Sequence, residues 1–307
     1  MKLKVKKSLK IVFIVGCSIT ILVSFFIFIV LKELQKEMSQ KVGTEVKLAD
    51  MIKAVSTLNY NSDSEDEIKK KSDKKVMYNV TVYYNPGLKG ILPQTKESLK
   101  RAEQLTKKYL GIYKNKPVDL LFMDSNELKK FSTLKDISGS YSDFDKVIAI
   151  GVNEKDMVSI IQEKETPLYF FQKSIFHEYT HFATYRKLDE IGVRTNDLPV
   201  WFVEGIAEYV GENEEPLDFH SFEPTFIELK QLDSHDQWEK ARQTKRANPY
   251  LQSYFTVAYL INTYGENIIP KLLMETSTTK NFYGSLQEIT GTDLNGFEEH
   301  VLSFYQK

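Results

Sequence analysis

The chain has 307 residues, with 41 basic and 42 acidic side chains and a formal net charge of −1. A balance this close to neutral, with no basic stripe interleaved with aromatics, excludes nucleic acid from the expected partners. The sole cysteine, Cys17, lies in an apolar N-terminal run, so the remainder forms no internal disulfide and draws its stability from its core.

Lys2, Lys4, Lys6, Lys7 and Lys10 precede an uncharged stretch from Ile11 to Leu31. As a helix those residues span about 31 Å, the thickness of a bilayer's hydrocarbon core. The lysines on the near flank outweigh the mixed Lys32, Glu33, Lys36 and Glu37 on the far one. The positive-inside rule therefore predicts a single-pass membrane protein. Residues 1–10 are expected in the cytoplasm, 11–31 in the lipid bilayer, and everything beyond outside. A cleaved signal peptide is the rival reading, but no small-residue cleavage site follows Leu31. Ile14-Val15-Gly16-Cys17 has the form of a lipidation box, although strong hydrophobicity continues past it.

Residues 32–75 read as stalk and linker. Leu34, Val42, Val46, Leu48, Met51, Ile52 and Val55 allow a helical stalk, interrupted at Gly43, and the acidic run from Asn61 with its following lysines reads as a solvated spacer. Residues 76–307 read as one domain. Val80–Tyr84, Val118–Met123 and Lys146–Val152 have strand composition, Gly139–Ser142 reads as a turn, and 94–111 has the apolar spacing of an amphipathic helix closed by Gly111. Val147–Val152 is the expected sheet edge, or alternatively an interior strand.

His177-Glu178-Tyr179-Thr180-His181 reads H-E-x-x-H. On a helix, positions i and i+4 lie one turn apart on one face, so both imidazoles can reach one zinc ion while Glu178 serves as general base. Five histidines and 26 glutamates placed at random would give this pattern about 0.007 times, so chance is a poor explanation. A zinc hydrolase needs a third protein ligand. The metzincin alternative requires Gly and His where Thr184 and Lys187 stand, and is excluded. Downstream, Trp201, Phe202, Val203, Ile206, Ala207 and Val210 make a helix apolar almost all round, with Asn196 or Asp197 as cap and Gly211 as its end. Two carboxylates in that setting need a reason, since buried charges are paired or bind metal. Glu204 is the expected third ligand, and Glu208, one turn on, the expected acceptor for a ligand histidine's other ring nitrogen. Two solvated glutamates on an amphipathic helix are the plainer alternative. His220, His235 and His300 sit in polar surroundings without partners at ligand spacing.

Beyond, Tyr250–Tyr264 has the spacing of a packed helix ended by Gly265, and Ile268–Met274, Leu286–Ile289 and Phe297–Phe304 indicate three more. H-E-Y-T-H, W-F-V-E-G-I-A-E-Y and the tract from Tyr250 to Gly265 together resemble the gluzincin branch of the peptidase MA superfamily, over Phe171 to about Leu273. The similarity is to thermolysin-like and aminopeptidase N-like enzymes, and especially to the bacterial peptidase MA-like proteins. The aminopeptidase glycine-rich signature is not visible before His177, and the spacer from His181 to Glu204 is longer than the aminopeptidase pattern. The resemblance implies an α+β zincin-like domain with a small sheet, an H-E-x-x-H helix and a mainly helical C-terminal half. It also implies one Zn2+ on His177, His181 and Glu204, hydrolysis of a peptide or protein substrate with Glu178 as base, and a tyrosine that stabilises the oxyanion, for which Tyr250 and Tyr254 fit by order. The alternative from another class is a catalytically silent zinc module tethered to the membrane for interaction or sensing.

Overall fold

The computed structural model describes residues 18–36, 46–57, 63–129, 137–222 and 225–306. Helix α1, Ser18–Lys36, is long and apolar enough to cross a membrane and exposes Leu22, Phe25 and Phe26. The first part of the expected span, residues 11–17, and the lipidation box with Cys17 lie outside the described residues. Part of the expected stalk forms a helix, α2 at Leu48–Thr57. The run read as a solvated spacer corrects that expectation, because Asp63–Lys71 forms helix α3. Lys69 of α3 bridges the fully buried Glu65 and Asp119 of the sheet, and Ile68 packs beneath the sheet. The sequence hid this helix because one apolar side chain among charges gives no periodic signal.

Five strands make one sheet, β1 (Asp73–Met77), β2 (Val80–Tyr84), β3 (Val118–Met123), β4 (Gly139–Ser142) and β5 (Val147–Gly151), in the order β1-β2-β3-β5-β4. The central strands β2, β3 and β5 are parallel, and β1 and β4 join antiparallel at the two edges. Of the two readings of Val147–Val152, edge or interior, the interior one holds, for β5 is paired on both sides. The segment read as a turn, Gly139–Ser142, is the edge. A four-residue strand of Gly, Ser and Tyr has too little β-propensity and no alternation to announce itself. The actual turn is Asp143–Lys146, with Lys146 at φ 58°.

Alternation along β3 and β5 gives the sheet two apolar faces, as parallel strands covered on both sides require. Leu120, Phe122, Ile148 and Ile150 face the main core, whereas Leu121, Met123, Val147 and Ala149 face Ile68 and Leu128. Helices α4 (Leu92–Leu110), entered through a 3₁₀ turn at Pro86–Ile91, α5 (Ser125–Leu128), α6 (Glu154–Ile161) and α7 (Glu165–Ile191) fall within this half. Helix α4 buries Leu99, Ala102, Leu105 and Tyr109, and Gly111, at φ 76°, turns the chain out of it. Helix α7 packs on β4 and β5, against α4 and against α8 (Val200–Gly211). It buries Phe171, Ile175, Phe176, Tyr179, Phe182 and Ala183, so no amphipathic stripe marks it. It ends at Gly192, which takes the left-handed conformation at φ 66°.

The C-terminal half is helical throughout, with α9 (Phe219–Phe222), α10 (His235–Arg242), α11 (Pro249–Tyr264), α12 (Ile268–Thr279), α13 (Phe282–Thr290) and α14 (Leu294–Tyr305). The four helices expected after the site are all present. Helix α8 is capped by Pro199, with Asn196 and Asp197 in a preceding 3₁₀ turn, and Gly211 is its last residue while Glu212 is the C-cap. Gly205 explains how α8 lies so close to α11. A Cβ there would stand 2.6 Å from the Ser253 carbonyl oxygen and 2.7 Å from Val257 Cγ2. Glycine is required by that approach alone, since its φ is helical.

Candidate metal centre

Helix α7 brings His177 and His181 to one face, with their Nε2 atoms 3.1 Å apart. Glu204 of α8 meets them, its Oε2 lying 3.4 Å from His177 Nε2 and 3.6 Å from His181 Nε2. These three side chains are the group able to hold a metal ion among the described residues. Zinc bonds of about 2.0–2.1 Å arranged as a tetrahedron put neighbouring donors roughly 3.3–3.4 Å apart. The three separations straddle that edge length, so the donor set fits a tetrahedral divalent ion with one position open. His177 Nδ1 turns to Glu208 Oε1 at 3.1 Å. That contact orients the ring and leaves Nε2 as the donor to the site.

The electrostatics favour a cation here. Burial alone would raise the Glu204 carboxyl, but His181 and His177 hold it well below the ordinary carboxylate range. Burial is likewise overcome at Glu208, which His177 and Lys173 pull down to about 2. Burial would lower His177, yet hydrogen bonds to Glu204 and Glu208 push it well up. Both trends express one fact, that a buried carboxylate and two half-buried ones surround two imidazoles. Glu178 behaves oppositely, because burial raises it and the two histidines offset that only in part.

Glu178 lies against the edge strand. A Cβ on Gly139 would fall 2.7 Å from Glu178 Cγ and 2.8 Å from its Oε1. Gly139 is not among the positive-φ glycines, so close approach is the reason for glycine. Both ends of β4 are tied to the same helix. Ser174 Oγ donates to Ser138 Oγ at 3.0 Å just before the strand, and buried Arg186 pairs with Asp143 just after it. Tyr141 packs edge-on against Phe182 and donates its hydroxyl to Asp143 at 2.7 Å.

A cavity of about 530 Å³ opens over these groups, walled by β4, α7, α8, α10 and the start of α11. Its size suits a peptide side chain and its neighbours. Of the two expected tyrosines, only Tyr250 lines it, with its ring centroid 6.3 Å from that of His177. Tyr250 is held edge-on by Trp238 at 5.0 Å, and burial raises its phenol. Tyr254 points away from the cavity. Its hydroxyl accepts the Leu217 N–H at 3.0 Å, its ring stacks on Tyr209, and it belongs to the cluster of Phe219, Phe255 and Ala258. Four residues apart, the two lie on one face of α11 a turn apart; Tyr250, the second residue of the helix, meets Trp238 of α10, whereas Tyr254, a turn further on, meets Tyr209 and the loop after α8.

Among the lining residues that escaped the sequence reading, three carry chemistry close to the histidines. His235, read as a lone surface histidine, heads α10 and lies on the cavity wall, placed there by a loop that no local pattern reveals. Tyr185 and Lys173 also line it. Each is four residues from a ligand histidine on α7, so their signal was the same helical spacing that marked the motif. His220 and His300 do not line the cavity.

A five-stranded mixed sheet with an H-E-x-x-H helix along its edge strand, and a carboxylate delivered by the next helix, defines a zincin-like, peptidase-type fold. The family model for the peptidase MA superfamily matches residues 102–306, and the chain belongs to that superfamily. Over 245 residues, which are 80% of this chain and 75% of the other, it is 27% identical to YhcO, an uncharacterized protein of Bacillus subtilis (strain 168).

Proposed function

We propose that the protein is a membrane-anchored, zinc-dependent metallopeptidase of gluzincin type that hydrolyses peptide bonds. The observation that carries this reading is the spacing of the His177, His181 and Glu204 donors at tetrahedral edge lengths beside a buried carboxylate. Bound there, zinc supplies Lewis acidity that polarises a carbonyl and acidifies water. Glu178 takes the proton of the attacking water and passes it to the leaving amine. Its raised pKa suits a group that must both accept and return a proton near neutral pH. Glu208 holds the His177 tautomer, and Tyr250, the tyrosine facing the cavity, is the donor assigned to the developing oxyanion. Tyr254, packed elsewhere, takes no part. The N-terminal segment 11–31 anchors the chain with residues 1–10 cytoplasmic. The catalytic domain lies outside and, with α3 packed beneath its sheet, starts ahead of residue 76.

The test is Glu178→Gln in the full chain purified in detergent. Metal analysis should find one zinc per chain in wild type and variant alike, because Glu178 is not a ligand. Cleavage of a peptide library should fall by at least about 10²–10⁴-fold, the usual worth of a general base. Equal cleavage by both would refute the mechanism. Zinc without cleavage by wild type would establish a silent zinc module instead.

A further inference from the structure

The antiparallel helices α7 and α8 meet along two matched polar rows. On α7 the row is Tyr169, Lys173, His177 and His181, and on α8 with its C-cap it is Glu212, Glu208 and Glu204, every fourth residue in each case. The rows interlock stepwise. Tyr169 donates its hydroxyl to Glu212 Oε2 at 2.6 Å, and Lys173 pairs with both Glu212 and Glu208, the latter at 3.0 Å. His177 meets Glu208 at 3.1 Å and Glu204 at 3.4 Å, and His181 meets Glu204. Each carboxylate therefore bridges two successive members of the facing row.

The upper half of this ladder is not a ligand set, and its chemistry needs explaining. Glu212 is 1% exposed and Glu208 lies one turn before it, so two carboxylates sit side by side on a helix whose other faces are apolar. Like charges at that spacing repel, and burial magnifies the effect. Lys173 is the cation in ion-pair contact with both. Without its charge Glu208 would lose the partner on its second oxygen, and His177 Nδ1 would face an acceptor free to turn.

We propose that Lys173 is a positioning residue for the metal centre: by bridging Glu208 and Glu212 it fixes the carboxylate that orients His177, and so sets the register in which α7 presents both imidazoles to Glu204. The inference rests on the metal-site reading above. It gives the residue one turn before the motif a role that H-E-x-x-H does not contain.

The experiment is a chelator competition that measures zinc affinity of the full chain in detergent, for wild type, Lys173→Met, Lys173→Arg, Glu208→Gln and the Lys173→Met/Glu208→Gln pair. Lys173→Met should weaken zinc binding about 10–100-fold, as loss of a group supporting a metal ligand does, and Lys173→Arg should recover most of that loss. On the Glu208→Gln background, Lys173→Met should cost at most about threefold more, because the two act through one contact. A Lys173→Met protein that binds zinc like wild type overturns the proposal, as does a loss undiminished on the Glu208→Gln background. Should Lys173→Met not melt cooperatively, Lys173→Gln carries the same test, with the same direction expected. Wild-type protein that holds no zinc would refute the metal reading itself, an outcome distinct from wild type binding zinc and Lys173→Met binding it equally.

Discussion

Gly139→Ala isolates the contact between edge strand and base. The added methyl would sit 2.7 Å from Glu178 Cγ, 2.8 Å from Oε1 and 3.1 Å from Cδ. Ordinary carbon contacts begin near 3.5 Å, so Glu178 must retreat by roughly 0.8 Å. The strand cannot yield instead, because Ser138–Ser174 and Asp143–Arg186 clamp both its ends to α7. A displacement approaching 1 Å in a catalytic group costs about 10²-fold in rate. Stability should move little. The clash falls on a side chain, with overpacking at the low end of about 1–3 kcal/mol, and replacing glycine where φ permits returns about 0.4–1 kcal/mol through the unfolded state. Tm should then shift by no more than about 4 °C. Zinc content should be unchanged, since no ligand contacts Gly139. The assay is kcat/KM on a peptide substrate, with metal analysis and a thermal melt on the same preparation. Activity within threefold of wild type would refute the claim that Gly139 is there to seat Glu178.

Gly205→Ala should act through packing instead. Its Cβ would meet the Ser253 carbonyl at 2.6 Å, a backbone atom within α11, so about 1–3 kcal/mol of overpacking outweighs the roughly 0.5–1 kcal/mol gained by removing a helical glycine. The expected outcome is a Tm lower by several degrees, and an unchanged or higher Tm would refute the close approach. Glu208 carries a pH signature. Its folded pKa of about 2 lies below the ordinary 4.5, so its stabilisation is present above about pH 4.5 and lost as pH falls through about 2. Denaturant unfolding of chelator-treated wild type should lose on the order of 3 kcal/mol more than Glu208→Gln across that window, and parallel curves would contradict it. A reporter fused after residue 60 should behave as extracytoplasmic, and a cytoplasmic readout would reverse the proposed topology.

The parts of the site that were legible in the sequence are those set by one helix's own period. His177, Glu178 and His181 lie within two turns, and Glu204 and Glu208 stood out because an apolar helix has no use for unpaired carboxylates. Tyr250 and Tyr254 show where that logic stops. Both belong to α11, and four residues put them a turn apart on one face, so the choice between cavity and core depends on where α10 and the loop after α8 come to rest. His235 depended on the same tertiary placement. The sheet showed the same divide, for β3 and β5 were visible as apolar runs, whereas the order in which they pair is not local information.

The edge strand was missed for a reason bound up with the site. A strand that packs on Glu178 must be small where it meets it, hence Gly139, and must anchor at its ends, hence Ser138 and Asp143. Those residues look like a turn. Helix α7 resolves the matter, because it carries a second row four residues apart, Ser174, Glu178, Phe182 and Arg186, whose partners are Ser138, Gly139, Tyr141 and Asp143 in order along β4 and its two flanking residues. The metal-facing row runs beside it through Lys173, His177, His181 and Tyr185. H-E-x-x-H is the stretch where the two rows lie abreast, one facing the carboxylates of α8 and the other the edge of the sheet. Read at a period of four in both directions, the helix that names the motif also locates the edge strand, and a change that slid α7 along either row would disturb His177, His181 and Glu178 together.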